Sequence, residues 1–381
     1  MKKIHLFHNI ISPYKTLLFN ELNSLLEGDL KVIYCTNTAG EREWLVDRDK
    51  IQYEYEVLNE VKLEKLSQVK LSIQVFKYLC QHRPKTIVVG GYDLLAFWLI
   101  WLWRLVYNVK FVVIMESQEQ DHQRNTVKEA VKKIFFSVCD LAIAAGEKHR
   151  QYLCKLGLAD TKIVVMKGVG GVEKTLYDKY LQQYHNEVSK EELYYKLNIP
   201  KRKYFIYVGR FSPEKNVRMF LQAYAETVKE LGLEEQWGII LVGSGKQETE
   251  LRSLINYFKL KNIIMPGFVQ QEFLPQYYLV SKVFVLPSLS ETWGLVVDEA
   301  ISLGLPVLIS ERCGSVPDIV QPGFNGLTFN PDNLSELKHQ ISLIVRDKID
   351  LELFAQRSLA ISRANSPLKS AEIIARGLGK L

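Results

Sequence analysis

The residues best suited to chemistry in this sequence lie in its second half, directly after segments that resemble β-strands. Arg210 and Lys215 follow the apolar run KYFIYVG in the pattern G-R-x-x-x-x-K. An arginine offers a planar fork of donors and a lysine a point charge, and Gly209 lets a ligand come close to the backbone. The pattern therefore suits a bound diphosphate, with a solvated turn as the alternative.

A second cluster follows the run KVFVLPS. Glu291 and Glu299 are separated by seven residues, and Gly294 stands where a helix is predicted to begin. The first N–H groups of a helix have no acceptor within it and can bind phosphate oxygens, here near Gly294, Leu295 and Val296. Glu299 would lie in the second turn, roughly 7 to 8 Å along the axis from Gly294. We expect one carboxylate to hold sugar hydroxyls and the other ribose hydroxyls; two glutamates on a solvated helix face are the alternative.

Both clusters need strands that end at one edge of a sheet. Apolar strand-like runs alternate with longer helical patterns along the chain, which predicts βαβ units and parallel sheets. Six such runs stand in each half, and a polar, helix-prone stretch at about 173–203 separates the halves. The sequence thus predicts an α/β fold of two doubly wound parallel-sheet domains. Their ligands are expected at the carboxyl ends of the strands, where the domains face each other across a cleft.

Length and composition exclude several classes of protein. The chain has 381 residues, 47% hydrophobic and 24% charged, which suits an ordinary folded protein of two domains or slightly more. Five cysteines without a CxxC pair argue against a disulfide framework and a zinc site, and favour a reducing cytoplasm. A net charge of +6 without basic–aromatic runs argues against nucleic-acid binding. The N-terminus is interpreted as a strand and not as a signal peptide, and the longest apolar stretch, 94–103, is too short to span a bilayer.

Several segments of the second half together resemble the donor-binding half of retaining glycosyltransferases of family 4, which have the GT-B fold. The resemblance rests on YVGRFSPEKN, LVGSGKQETELRSLI, the stretch from IIMPGFV to ISLGLPVL with its E-x7-E element, and CGSVPDIVQPGFNGL. It implies a retaining, metal-independent enzyme of the hexosyltransferase type. Such an enzyme moves a sugar from a nucleotide-diphosphate sugar to a glycan, lipid-linked or polysaccharide acceptor in cell-surface glycan biosynthesis, with no cofactor besides the donor.

The resemblance assigns roles to particular residues. Arg210 and Lys215 would hold the phosphates, Glu291 the sugar. Glu299 would hold the ribose, and segments 243–245 and 267–269 would surround the base. The catalytic candidates are Glu291, Arg210, Lys215 and Glu116. The candidates for binding the donor are Gly209, Gly243, Gly245, Phe268, Val269, Thr292, Trp293, Gly294, Leu295 and Glu299.

The resemblance also divides the chain. Residues 1–174 are predicted to form an acceptor-binding Rossmann-like domain, and residues 175–364 a Rossmann-like domain that binds the nucleotide-sugar donor. A helix at about 365–381 is expected to pack back on the first domain.

The first half departs from the family pattern in two places. Where members commonly carry two glycines after the first strand, this chain has HNIISPYK, so a phosphate contact from this side would fall to Lys15. Where many members place a histidine after a later strand, it has Glu116, our candidate for contacting the sugar or the acceptor. His8 is predicted to be a packed or cleft-wall histidine.

Asp47-Arg48-Asp49 spells D-x-D, the metal-binding signature of a different glycosyltransferase fold. No nucleotide-binding strand directly precedes it, so we expect a solvated loop. Arg210 and Lys215 can supply the positive charge that a divalent metal supplies elsewhere, and we predict no metal site.

Basic residues concentrate in the first half, with six between 62 and 85 and a second group at Arg124, Lys128, Lys132 and Lys133. Such a flank can attract anionic lipid, which raises the hypothesis of peripheral contact with the inner face of the membrane. In the helical segment 66–82, one apolar face is predicted to pack against the sheet. That face consists of Leu66, Val69, Ile73, Phe76 and Cys80.

Two other functions stay open at this stage. The altered glycine loop and the missing histidine would suit a non-catalytic nucleotide-sugar-binding subunit that regulates a partner, whereas the intact charged residues of the second half argue against it. A sugar-nucleotide epimerase on a similar scaffold is the other alternative.

Overall fold

The computed structural model describes residues 3–40, 46–121 and 125–379, and the chain divides into two compact units. The first unit consists of Met1–Val172 together with Ser366–Leu381, and the second is Glu173–Asn365.

The first unit is built on a parallel sheet. Its strands are β1 (Ile4–Ile10), β2 (Leu30–Thr36), β3 (Glu54–Val57), β4 (Thr86–Val89), β5 (Lys110–Met115), β6 (Leu141–Ala144) and β7 (Ile163–Val165). The helices between them are α1 (Pro13–Leu25), α2 (Gln68–His82), α3 (Leu95–Val106), α4 (Thr126–Ser137) and α5 (Glu147–Lys155). In the described part of this unit, seven strands are ordered β3-β2-β1-β4-β5-β6-β7. The order reverses between β1 and β4, the place where sheets of this kind bind ligands.

The second unit repeats this plan. Its strands are β8 (Lys203–Val208), β9 (Trp237–Val242), β10 (Ile263–Gly267), β11 (Val283–Leu286), β12 (Val307–Ser310) and β13 (Gly326–Phe329). Its helices are α6 (Lys174–Gln183), α7 (Glu187–Lys196), α8 (Val217–Leu231), α9 (Glu248–Tyr257), α10 (Leu274–Leu279), α11 (Leu295–Ser302), α12 (Leu334–Val345) and α13 (Leu351–Ala364). Its sheet is ordered β10-β9-β8-β11-β12-β13, so the reversal lies between β8 and β11. The predicted α/β class with two parallel sheets is confirmed.

Burial explains why the strands were recognisable in the sequence. The inner strands β9, β11 and β12 are buried along their whole length, because helices cover both faces of the sheet. The exception is β3, which the sequence analysis does not predict. It is an edge strand of sequence EYEV, partly exposed, and it pairs only with β2 among the described strands.

The last helix, α14 (Pro367–Leu378), belongs to the first unit. The Ser366 side chain caps it by accepting a hydrogen bond from the N–H of Lys369, and Pro367 occupies its first turn. Its buried face contacts α1, β6 and β7, and the Ser370 hydroxyl donates to the carbonyl of Met166 at 2.8 Å.

The orientation of α2 corrects the sequence analysis. Of the face predicted to pack against the sheet, only Leu66 is buried, whereas Val69, Ile73, Phe76 and Cys80 are exposed. A second apolar stripe of the same helix is buried instead: Leu71, Val75, Tyr78 and Leu79. Tyr78 decides the orientation, because its hydroxyl lies 2.8 Å from Nδ1 of the buried His5 and its ring packs edge-on against Phe7.

Candidate functional site

The loop after β8 carries the two predicted cations. Pro213–Lys215 form one 3-10 turn that leads into α8. The Lys215 ammonium makes an ion pair with the Glu291 carboxylate, and the two side chains are 16% and 13% exposed. Arg210, by contrast, is 62% exposed, with its guanidinium 3.7 Å from Glu214. The structure therefore brings Lys215 and Glu291 together and leaves Arg210 in solvent on the same loop.

The backbone around Glu291 is held on both sides. Its carbonyl accepts a hydrogen bond from the N–H of Gly314 at 2.9 Å, and it forms an isolated parallel bridge with Cys313. Nearby, the N–H of Leu289 donates to the carbonyl of Glu214 at 2.8 Å, which ties the β11 loop to the β8 loop. Lys215 and Glu291 thus lie on two connected loops that flank the reversal of strand order.

Helix α11 begins beside this pair. Gly294 precedes it with φ 90°, a left-handed conformation, and a Cβ at this position would lie 3.1 to 3.2 Å from the side chains of Leu286, Cys313 and Val297. Glycine is therefore required for both backbone and space. The first amides of the helix, those of Leu295 and Val296, have no acceptor within the helix and point out of its N-terminus.

Glu299 lies in the second turn of α11, as its spacing from Gly294 predicts, and its side chain is buried. Burial raises the pKa of Glu299 to about 7, although hydrogen bonding with Tyr278 and Tyr177 acts to lower it. The Tyr278 hydroxyl donates to Glu299 Oε2 at 2.9 Å. Its carboxyl group is thus engaged by tyrosine, whereas the carboxylate of Glu291 is engaged by lysine.

Asp298 is a site residue that the sequence analysis missed. It accepts a hydrogen bond at 2.8 Å from the indole N–H of Trp293, and burial raises its pKa to about 7. The ring of Trp293 is itself 1% exposed. Trp293 stays a predicted donor contact, with its ring packed inside the second unit. In the sequence, Asp298 resembles one more carboxylate on a helix surface, and only the fold shows that it faces inward.

The predicted glycines line the neighbouring loops. The N–H of Gly209 donates to Val242 at 3.0 Å and the N–H of Gly243 to Gly267 at 2.8 Å. A Cβ on Gly243, which has φ 136°, would collide with the carbonyl oxygen of Gly209. The glycines therefore let the loops after β8, β9 and β10 pack directly on one another. The remaining predicted donor contacts on these loops are Gly245, with φ 154°, and the exposed Phe268, half-buried Val269 and exposed Thr292.

The sheet edge of the first unit holds another lysine–glutamate ion pair, between Lys15 and Glu116. Burial alone would raise the pKa of Glu116, but the charge and hydrogen bond of Lys15, together with His8 and His149, outweigh burial and the pKa is lowered. Lys15 is only 1% exposed and Glu116 is 33% exposed. The Lys15 side chain is therefore much less accessible to a phosphate than that of Lys215, and the expected contact stays a prediction.

Two further groups surround that pair. His8 is buried and packs edge-on against Phe19 and Tyr34, a packed histidine as predicted. Asp93, which the sequence analysis missed, accepts a hydrogen bond from the amide of Asn9 at 3.2 Å, and burial raises its pKa.

Arg48–Lys50 form an exposed 3-10 turn, and Asp47 caps it, its carboxylate accepting a hydrogen bond from the N–H of Asp49 at 3.1 Å. Across the part of the chain that the structure describes, no group of three histidine, cysteine or acidic side chains is arranged to hold a metal ion. Arg124, which was assigned to the basic flank, lies outside the described residues.

Comparison with protein families gives a match within the second unit. Residues 189–359 match the family described as glycosyl transferases group 1. The chain is 33% identical over 159 residues to O-antigen chain mannosyltransferase B of Escherichia coli, covering 41% of this chain and 40% of that protein. It is 32% identical over 160 residues to sulfoquinovosyl transferase SQD2 of Arabidopsis thaliana, covering 41% of this chain and 29% of that protein. These matches span less than half the length of either relative.

Solved structures are similar over the full length. Anabaena Alr3699/HepE in complex with UDP matches with a TM-score of 0.78 at 18% identity, covering 100% of both chains. WaaG, a glycosyltransferase involved in lipopolysaccharide biosynthesis, matches with a TM-score of 0.69 at 14% identity, covering 98% of both. At these identities the likeness establishes the fold. The chain thus has the GT-B fold, and residues 189–359 of its second unit match the glycosyl transferases group 1 family.

Proposed function

We propose that this chain is a retaining glycosyltransferase that moves a sugar from a nucleotide-diphosphate sugar to a glycan, lipid-linked or polysaccharide acceptor. The observation that carries the proposal is the Lys215–Glu291 pair, which flanks the strand reversal of the second sheet beside the start of α11. The match of residues 189–359 to the glycosyl transferases group 1 family supports the donor class. The O-antigen chain mannosyltransferase among the relatives supports an acceptor in cell-surface glycan biosynthesis.

The diphosphate of the donor binds to Lys215 and to the amides of Leu295 and Val296. An ammonium group carries three donors, so Lys215 can hold a phosphate oxygen and still orient the Glu291 carboxylate. Arg210 lies exposed beside Glu214, and its planar fork binds the second phosphate.

The rings on either side of the diphosphate are held by carboxyl groups. Glu291 accepts hydrogen bonds from the hydroxyls of the transferred sugar, and Glu299 from those of the ribose. The base lies against the loops that contain Gly243, Gly245 and Phe268. Donor binding is therefore assigned to the second unit and acceptor binding to the first, where Glu116 is the candidate contact to the acceptor or the sugar.

Transfer requires stabilisation of the leaving group. The acceptor hydroxyl oxygen forms a bond to the anomeric carbon on the face from which the phosphate departs. The bond from that carbon to the phosphate oxygen breaks with its electron pair, and the departing phosphate takes the hydroxyl proton. Retention then needs no protein nucleophile, and Lys215, Arg210 and the helix amides stabilise the charge that develops on the phosphate.

Turnover of a nucleotide sugar without acceptor tests the proposal. UDP-glucose is the first donor to try, because the solved relative Alr3699/HepE is described in complex with it; a panel of nucleotide sugars follows. A glycosyltransferase releases nucleoside diphosphate by slow hydrolysis, and faster when the right acceptor is added. A binding subunit releases none, and an epimerase converts the sugar without release. Failure of every donor to yield free nucleotide, with or without acceptors, would overturn the proposal.

A further inference from the structure

The outer faces of α2, α3 and α4 carry apolar side chains at helical spacing. A surface helix normally presents one apolar stripe to the core and polar residues to solvent. Each of these helices has a second stripe that points outward, with members between 43% and 76% exposed. The stripes consist of Val69, Ile73 and Phe76 on α2, Leu95, Leu102, Leu105 and Val106 on α3, and Val127, Val131 and Ile134 on α4.

The three stripes adjoin one another, because α3 lies between the other two helices. On one side, the ring of Phe76 on α2 lies 6.0 Å from that of Trp103 on α3. On the other, Trp98 packs against Phe135 of α4 at 4.8 Å, and the indole N–H of Trp101 donates to the carbonyl of Ile134 at 3.2 Å. We call this combined surface the α2–α4 face.

The charge on the α2–α4 face has one sign. Lys70 and Lys77 on α2 and Lys128 and Lys133 on α4 are exposed, and none of them makes an ion pair with a described residue. The one acidic residue in the three helices, Glu129, is occupied by Lys132 and the hydroxyl of Tyr152.

We infer that the α2–α4 face lies on an anionic lipid bilayer. Outward aliphatic stripes with lysines among them have the composition of helices that rest in the interface, with apolar side chains among the acyl chains and ammonium groups at the headgroups. The half-buried Trp98 and Trp101 suit the same depth, since an indole ring is apolar with one polar edge. None of the described helices is long and apolar enough to cross the membrane, so the face lies on the bilayer and does not span it.

A second copy of the chain fits this surface less well. In a two-fold contact the same patch meets itself, so the four lysines would face lysines with no unoccupied acid on these helices to neutralise them. An anionic bilayer supplies the opposite charge over the whole patch.

The inference goes beyond the proposed transfer reaction and does not depend on it. It assigns a surface of the first unit, whereas the donor site is assigned to the second. Vesicle binding and release of nucleotide from a donor are separate measurements, so either can fail alone.

Co-sedimentation with vesicles tests the inference. We expect the full chain to bind vesicles of phosphatidylcholine and phosphatidylglycerol at low salt, to bind pure phosphatidylcholine at least tenfold more weakly, and to be released in part by high salt. Absence of binding to the anionic vesicles at low salt, or equal binding to both kinds, would overturn the inference.

Two sets of exposed substitutions locate the surface. The apolar variant V69S/V106S/V127S and the lysine variant K70Q/K77Q/K128Q/K133Q should each lower binding to anionic vesicles at least tenfold. Their controls in the second unit, V188S/Y195S/Y257S and K229Q/K261Q/K282Q/K348Q, replace equally exposed residues and should bind like the unmodified chain.

Two readouts keep the result interpretable. Circular dichroism and thermal unfolding show whether each variant is folded, and the single substitutions V106S and K128Q serve if a combined variant is not. Sedimentation velocity shows the association state: a dimer that the apolar variant dissolves would mean that a second copy covers the face and would overturn the inference. Vesicle binding that both variants leave unchanged would also overturn it.

Discussion

Both units place a lysine–glutamate ion pair at the carboxyl edge of their sheet, but the two pairs differ in position and exposure. In the second unit, Lys215 and Glu291 follow β8 and β11, the neighbours on either side of the strand reversal, and both are partly accessible. In the first unit, Lys15 follows the corresponding strand β1, but Glu116 follows β5, one strand beyond the reversal, and Lys15 is almost completely buried. Both members of the second pair are thus partly accessible, whereas in the first pair Glu116 is exposed in part and Lys15 belongs to the packing.

The residues around the pairs support this distinction. In the first unit, the His8 ring lies close to the end of β4, since a Cβ on Gly90 would be 2.8 Å from that ring. Asp93, further along the same loop, accepts a hydrogen bond from Asn9. In the second unit, the loops at the reversal contain Gly243 and Gly294, and the first amides of α11 lie beside Gly294. From this comparison we expect Lys15 to serve stability in the first sheet, whereas Lys215 and Glu291 are proposed to bind the ligand in the second.

The largest expected effect is a loss of transferase activity on replacing Lys215, which would distinguish Lys215 from Lys15. Lys215→Ala removes a donor to the leaving phosphate, and we expect turnover to fall about 100- to 1000-fold, or about 2.7 to 4 kcal/mol in activation free energy. Initial rates of nucleotide release measure it. Lys338→Ala, which removes a lysine ion-paired to Glu226 and Glu230 on the surface, is the matched control and should retain full activity. If Lys215→Ala kept full activity, the proposed functional difference between the Lys215–Glu291 and Lys15–Glu116 pairs would be wrong.

Lys15→Ala should affect stability instead. The substitution leaves Glu116 without its cation and opens a cavity, so we expect a loss of about 3 kcal/mol in the free energy of unfolding. Denaturant titration measures this loss, and Lys215→Ala should show a much smaller one. If Lys15→Ala is as stable as the unmodified protein and loses activity, the first pair is a ligand site as well.

Glu299 and Glu116 should make the free energy of unfolding depend on pH in opposite directions. The pKa of Glu299 is raised by burial to about 7, so the folded state binds a proton more tightly than the unfolded state between about pH 4.5 and 7. The Glu299 carboxyl therefore costs stability as pH rises through that window. Glu299→Gln should gain up to about 3 kcal/mol relative to the unmodified protein between pH 4.5 and 8. Paired unfolding titrations across that range measure the gain, and a difference that does not change with pH would contradict it.

Glu116 should contribute to the free energy of unfolding with the opposite sign to Glu299, and its replacement should have the smallest effect of the four. Its pKa is lowered, so its pairing with Lys15 stabilises the fold above the pKa of the unfolded state, and the stabilisation disappears as pH falls below it. Glu116→Gln should cost about 1 kcal/mol at neutral pH, since the carboxylate is one-third exposed, and little at acidic pH. The same unfolding titrations measure this cost. A variant whose deficit grows toward acid would contradict the assigned ion pair.

Much of the fold and part of the site could be predicted from the sequence. The buried strands are continuous apolar runs, and Lys215, Glu291 and Gly294 stand at strand ends with spacing that the family resemblance interprets. The Lys15–Glu116 pair could not be predicted, because it joins residues 101 positions apart that no local pattern connects.

The orientation of α2 was predicted wrongly for a related reason. Helix α2 carries two apolar stripes with the same period, one through Ile73 and one through Val75, and only contacts with the sheet decide which of them is buried. Helical periodicity identifies such a helix without specifying the face that packs.

The most direct test of the central claim is a crystal structure of the protein with the nucleoside diphosphate that raises its melting temperature most. We expect the phosphates to lie within hydrogen-bond distance of Lys215 Nζ and of the amides of Leu295 and Val296, with Arg210 turned toward them. A diphosphate bound elsewhere, or bound with Lys215 still paired only to Glu291 and out of reach, would contradict it.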